Sequence, residues 1–224
     1  MNVVDNDKKV IILTPSKCST YSLKTFLEEL GFNFNPPRIK DNSLFYHATL
    51  KEICYGYWIP PNALKDFKII QITRNPYDRL ISAFFSQKLL YPFLPNFQKF
   101  LSNLYYTKYL LPEFGDKFYS TFYGDLAYKF ESLKNNSWGG LRFYWEQNFW
   151  NDLNTPVQTF KLEEISKNSS SLCNYLNVPH KPYPKINSKN YPKVTLTQDE
   201  KNLIYDLYYR DFQKYNYSKD SFGN

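Results

Sequence analysis

The chain has 224 residues, 42% of them hydrophobic and 20% aromatic, with a formal charge of +7. That is enough for one domain with a sizeable core, and the excess of Lys and Arg points to an anionic ligand or polyanionic partner as readily as to a solvated basic surface. No run approaches the ~20 apolar residues of a membrane helix, the first residues lack a signal-peptide layout, and Cys18, Cys54 and Cys173 are odd in number without metal-ligand spacing, so a reduced, cytoplasmic, metal-free protein is expected.

Val10–Thr14 is a short, mostly β-branched run that reads as the first strand of a parallel sheet. Directly after it come Pro15-Ser16-Lys17-Cys18-Ser19-Thr20-Tyr21-Ser22. A helix follows from Ser19 or Thr20, with Leu23, Phe26, Leu27 and Leu30 on one face and Gly31 as its stop. A lysine, hydroxyls and backbone N–H groups at a helix start make an anion site by geometry and dipole together. The plainer reading is an ordinary helix capped by Ser19 or Thr20. The glycine-rich phosphate-loop pattern is absent. Asn33–Asn62 shows no clear period and reads as loop and short elements, with His47 among aromatics.

Lys68–Phe85 is the most informative stretch. Ile69, Ile70 and Ile72 read as a second buried strand, and Arg74-Asn75-Pro76 breaks it. Pro76 suits the first position of a helix, Asn75 its cap, and Leu80 and Phe84 recur at helical spacing. Arg74 therefore stands at the carboxyl end of a strand, where open α/β sheets bind ligands, and Ser82 lies two helical turns further on. An arginine fork and a hydroxyl suit a phosphate; a structural salt-bridge arginine is the alternative. Phe97–Leu110 and Phe118–Leu133 read as helices, Trp138-Gly139-Gly140 as a turn, and Leu141–Trp150 as an aromatic stretch. Val157–Lys161 reads as a further strand that leads into Leu162-Glu163-Glu164-Ile165, after which a helix runs to about Tyr175. Pro179–Pro192 is a long basic loop. Thr197–Glu200 is a capping-box sequence opening a last helix through Leu203, Ile204, Leu207, Tyr208, Phe212 and Tyr215.

Taken together, these segments resemble the sulfotransferases that use 3′-phosphoadenosine 5′-phosphosulfate (PAPS), most closely the Golgi-type carbohydrate sulfotransferases. Lys17-Cys18-Ser19-Thr20-Tyr21-Ser22 is similar to the family's 5′-phosphosulfate loop. Arg74-Asn75-Pro76-Tyr77-Asp78-Arg79-Leu80-Ile81-Ser82-Ala83-Phe84 is similar to its 3′-phosphate motif. Phe160–Ile165 and Tyr208-Tyr209-Arg210-Asp211-Phe212 resemble two further family segments. Two departures stand out. Ser16 separates Pro15 from Lys17, and Ser19 stands where relatives carry a glycine, which implies a shifted loop or a weakened site.

The resemblance implies a P-loop-NTPase-like α/β fold, a single domain over residues 1–224 with a central parallel sheet flanked by helices. It implies an enzyme transferring the sulfuryl group from PAPS to a hydroxyl, with a sugar as the first expectation. Lys17 would stabilise the leaving phosphate; Cys18, Ser19, Thr20 and Tyr21 would hold the 5′-phosphate; Arg74 and Ser82 would hold the 3′-phosphate. Lys185, Ser188 and Lys189 would cover the cofactor. His47 would serve as base, with Glu28 or Glu29 as alternatives. Neither a metal nor a nucleic-acid partner is expected. Two competing readings are a non-catalytic polyanion binder and a kinase with an atypical phosphate loop.

Overall fold

The computed structural model describes residues 3–13, 15–34, 48–90, 95–109, 146–185 and 191–222, apart from the side chains of residues 90, 103 and 106–109. His47, Ser188, Lys189, Thr14 and the helix and turn expected at 118–140 lie outside them. Within the 1–224 span read as one domain, contacts form two compact units. The first comprises Met1–Asn75 and Gln147–Asn190, the second Pro76–Glu146 and Tyr191–Asn224.

The first unit is α/β. Among the described residues its four strands, β1 (Val4–Asp5), β2 (Val10–Leu13), β3 (Lys68–Thr73) and β4 (Gln158–Lys161), lie side by side in that order. β2, β3 and β4 are mutually parallel, in register Leu13 with Gln71 and Thr73 with Lys161. The sheet is nevertheless mixed rather than wholly parallel. A tight turn over residues 6–9 returns the chain from β1 to β2, and a turn that short can only join antiparallel strands. All four residues of β2 and the last five of β3 are buried, as expected of parallel strands covered on both faces.

The helices of this unit are α1 (Thr20–Glu29), α2 (Leu50–Tyr57), and later in the chain two short ones at Leu162–Ile165 and Ser170–Leu176. α1 buries Leu23, Phe26 and Leu27 completely, each worth about 1.5–3 kcal/mol. α2 falls in the stretch read as irregular. Its signal was a capping box: the Glu52 N–H donates to Thr49 Oγ1, and the Thr49 N–H donates to the Glu52 carboxylate at 2.8 Å. Residues Ser166–Ser169 separate the short helix Leu162–Ile165 from the expected helix, which covers Ser170–Leu176. Asn168 Oδ1 accepts from the Ser170 N–H at 2.9 Å, a local turn that competes with helix continuation.

Among the described residues the second unit is built of helices. It contains α3 (Pro76–Leu90) and α4 (Phe97–Tyr109), followed, after the two short helices α5 (Leu162–Ile165) and α6 (Ser170–Leu176) of the first unit, by α7 (Gln198–Leu207) and α8 (Tyr209–Lys214). Pro76 takes the first helical position as expected, and Thr197 with Glu200 forms the expected capping box. The final helix is split at Tyr208, whose φ of −118° leaves the helical range. The core joins Tyr77, Leu80, Phe84, Phe97, Phe100, Leu104, Ile204, Leu207 and Phe212. Phe84 meets Phe97 edge-on at 5.2 Å and Tyr77 meets Phe212 likewise at 5.1 Å. Arg79 is fully buried in this unit, its guanidinium 5.6 Å from the ring centre of Tyr208. The charges of Arg79, Asp211 and Glu146 all act on the buried Tyr208 phenol, so two segments of the family resemblance meet here in a structural role.

Among the described residues no helix is long and apolar enough to cross a membrane.

Candidate functional site: the loop between β2 and α1

β2 ends at Leu13 beside Gln71 of β3, so the loop that leaves β2 and the residues that follow Thr73 emerge at the same edge of the sheet. Within this loop Lys17 has φ +66° and Ser19 φ +60°, both in the left-handed region that favours glycine. The Cys18 N–H closes a turn onto the Pro15 carbonyl at 3.2 Å, and the Leu23 N–H makes the first helical bond to Ser19 at 2.9 Å. Left-handed residues in such a loop turn successive N–H groups into a concavity that accepts anions. The N–H groups of Thr20 and Tyr21 start the helix, where geometry leaves no intrahelical acceptor.

Ser19 occupies the N-cap position but makes no capping bond. Capping requires extended backbone, from which the serine oxygen reaches the N–H two or three residues on; the left-handed conformation takes it away. Ser19 thus adopts the backbone that a glycine would adopt freely, at a strain of roughly 1–2 kcal/mol. The expectation of an ordinary capped helix is corrected accordingly. The Thr20 Oγ1 hydroxyl is buried with no hydrogen-bond partner among the described residues, a state that costs about 1–3 kcal/mol unless something binds there.

Arg74 reaches this loop. Its Nη1–H donates to the Lys17 carbonyl at 3.2 Å, and among the described residues no carboxylate pairs with it. The backbone of Arg74 is held by Gln147, which is fully buried. The Arg74 N–H donates to Gln147 Oε1 at 2.7 Å, and Gln147 Nε2 donates to the Arg74 carbonyl at 2.8 Å. The Cys18 thiol donates to the same Oε1 at 3.2 Å, and Gln71 Nε2 donates to the Gln147 carbonyl at 2.8 Å. Next to it, the Asn75 N–H donates to Glu163 Oε1 at 2.7 Å. One amide therefore ties the end of β3 to the loop after β2.

The start of the Pro-punctuated loop also packs here. Tyr183 is buried, its ring 5.3 Å from that of Phe26, and its hydroxyl donates to the Ser19 carbonyl at 3.4 Å. Burial pushes the Tyr183 phenol above its ordinary value, so it stays a donor throughout the neutral range. Lys181 pairs with Glu29 at 2.8 Å, and its carbonyl accepts from the Ser169 hydroxyl.

Lys17, Cys18, Ser19, Thr20 and Arg74 are thus brought together. Tyr21 is 58% exposed on the outer face of α1. Lys185 is exposed and makes no hydrogen bond or ion pair among the described residues. Glu28 and Glu29 pair with Lys24 and Lys181, about 12 Å along α1 from its start, which removes them from the loop. Ser82 is buried on α3 in the second unit. Gln147 and Tyr183 were missed in the sequence. A glutamine inside an otherwise aromatic stretch was the available signal for the first, because a buried amide has to be bonded. Among the described residues no three His, Cys, Asp or Glu side chains group as a metal site.

In comparisons with known proteins, no family model matches the chain, and no curated protein or solved structure matches it either.

Proposed function

We propose that the chain is a PAPS-dependent sulfotransferase acting on a hydroxyl, with a sugar as the preferred acceptor class. The observation that carries this reading is the bond from Arg74 to the Lys17 carbonyl. It links two segments, 57 residues apart, that the resemblance assigns to the two phosphate ends of one nucleotide. The local chemistry fits an anion: a left-handed loop at a helix start, a buried hydroxyl on Thr20, a lysine, and an arginine with no carboxylate partner among the described residues.

Bound PAPS would supply the sulfuryl group. Transfer breaks its S–O bond to the 5′-phosphate and forms an S–O bond to the acceptor oxygen, while the acceptor proton passes to a base. No redox step is involved. The protein's task is alignment and charge. Lys17 would neutralise charge gathering on the departing phosphate, and Thr20 with the N–H groups of the helix start would hold that phosphate. Arg74 would grip the 3′-phosphate. Ser82 keeps its share of that grip, and His47 its role as base, through the sequence resemblance.

The test is a thermal-shift titration with adenosine 3′,5′-bisphosphate, with AMP and ATP–Mg²⁺ in parallel. Bisphosphate at 100 times its dissociation constant adds about 2.7 kcal/mol to stability, and the other two add far less. A folded sample that ignores the bisphosphate overturns the proposal, and stabilisation by ATP–Mg²⁺ alone replaces it with the kinase reading.

A further inference from the structure

Both left-handed residues of the loop have their carbonyls held by a side chain from far along the sequence. Arg74 holds that of Lys17 from 57 residues away, and Tyr183 holds that of Ser19 from 164 residues away. The first was legible as part of a motif, whereas the second was not. A trans peptide is planar, so the Ser19 carbonyl and the Thr20 N–H point in opposite directions, and whatever fixes one aims the other. We infer that Tyr183 is a positioning residue for the anion loop, its hydroxyl fixing the Ser19 carbonyl so that the Thr20 N–H is presented to the ligand. This rests on the proposed function only for the identity of that ligand.

The placing force is independent of the ligand. The Tyr183 ring packs on Phe26 of α1, and two residues earlier Lys181 is tied at both ends, its ammonium to Glu29 and its carbonyl to Ser169. The chain from α6 is thus strapped across α1, with Tyr183 as its inward-facing anchor. At 3.4 Å the bond to Ser19 is long for a hydroxyl donor. It shares the carbonyl with the 2.9 Å bond from Leu23, which a carbonyl with two lone pairs permits. Its contribution is therefore that of one modest hydrogen bond holding a residue that prefers another conformation. A relative with glycine at this position would need no such tie, because glycine adopts the left-handed region at no steric cost. Tyr183 and Ser19 belong together.

Tyr183→Phe removes the hydroxyl and keeps the ring. By calorimetry it weakens adenosine 3′,5′-bisphosphate binding roughly three- to tenfold, the scale of one hydrogen bond. In a Ser19→Gly background the same change costs less than twofold, a rescue that a merely structural tyrosine would not produce. Unchanged affinity in Tyr183→Phe, or an equal loss in both backgrounds, overturns the inference. If the natural chain does not bind the bisphosphate at all, the proposed function fails, and urea unfolding of the four ligand-free proteins decides on Tyr183. Non-additive midpoints for the two substitutions support the tie to Ser19, and additive ones sink it.

Discussion

In residues 15–20 two side-chain-bearing residues hold left-handed backbone, and a threonine hydroxyl is buried without a partner among the described residues. In the helical unit Phe84, Phe97, Phe100, Tyr77 and Phe212 pack ring against ring, and even the buried Arg79 lies against an aromatic face. The same chain is locally strained in one region and locally consistent in the other. Strain that survives must be held in place by its surroundings, here by Gln147, Arg74 and Tyr183, and such residues concentrate where a protein binds something. None of the described rings of the aromatic layer sits on left-handed backbone, although Asn216 elsewhere in that unit does, and the layer reads as support.

Four substitutions or conditions sharpen this contrast or break it. Phe212→Ala in the aromatic layer should lower unfolding free energy by about 3–5 kcal/mol in urea titrations, the usual range for removing a buried ring. A loss below ~1 kcal/mol would mean that the layer is loosely packed. Lys17→Ala should fold with near-normal stability while turnover drops roughly 10²–10³-fold, by analogy with removing one charge-stabilising donor. If its stability falls as far as that of Phe212→Ala, the loop is a structural element and the contrast disappears.

The third is pH, where the two units should behave alike. Burial pushes the Tyr57 phenol of the first unit from 10.0 to about 12, against the opposing N–H bond from Val3. Burial, then the charges of Asp220 and Tyr205, push Tyr77 of the second to about 12. Between pH 10 and 12 the folded protein keeps phenol protons that the unfolded chain has released. Stability is therefore full below pH 10 and falls as pH rises towards 12. Urea midpoints across pH 8–12 check this, and Tyr57→Phe or Tyr77→Phe should each flatten the fall. The smallest effect is expected from Thr20→Val, which removes the unpartnered hydroxyl at nearly constant volume. The ligand-free protein should gain up to ~1 kcal/mol while bisphosphate affinity drops. A loss of stability there would show that the hydroxyl already has a use inside the fold.

Local signals in the sequence carried the elements that frame the site. Val10–Leu13 and the isoleucines of Ile69–Ile72 read as short buried strands and form them, and Pro76 dates the start of α3 to the residue. That Lys17 and Arg74 serve one cofactor was implied by the resemblance of their two segments, not by periodicity or spacing. What stayed hidden depends on contacts that leave no period. Gln147 reaches Arg74 across 73 residues and Cys18 across 129, and nothing in the aromatic stretch around it reports which amide it meets. The left-handed Ser19 was hidden for the opposite reason: local propensity argues for a serine cap, and the tertiary bonds overrule it. α2 was missed although Thr49 and Glu52 announced it, because the aromatic and Asn-rich flanks masked a helix of only eight residues.

The discontinuity of the two units bears on how the molecule is made. β3 pairs with β2 on one side at once, but its other neighbour, β4, lies beyond a stretch that belongs largely to the second unit. During synthesis the edge of β3 that precedes Arg74 therefore stays open until residue 161 has emerged, and the tie from Tyr183 comes later still. A ribosome stalled anywhere before that point presents a growing chain with an unpaired apolar strand, the kind of edge that recruits chaperones or partners for aggregation. The loop between β2 and α1 is then among the last parts of the protein to acquire its shape, and under the proposed function adenosine 3′,5′-bisphosphate added to a refolding mixture should leave the early phases untouched and act on the final one.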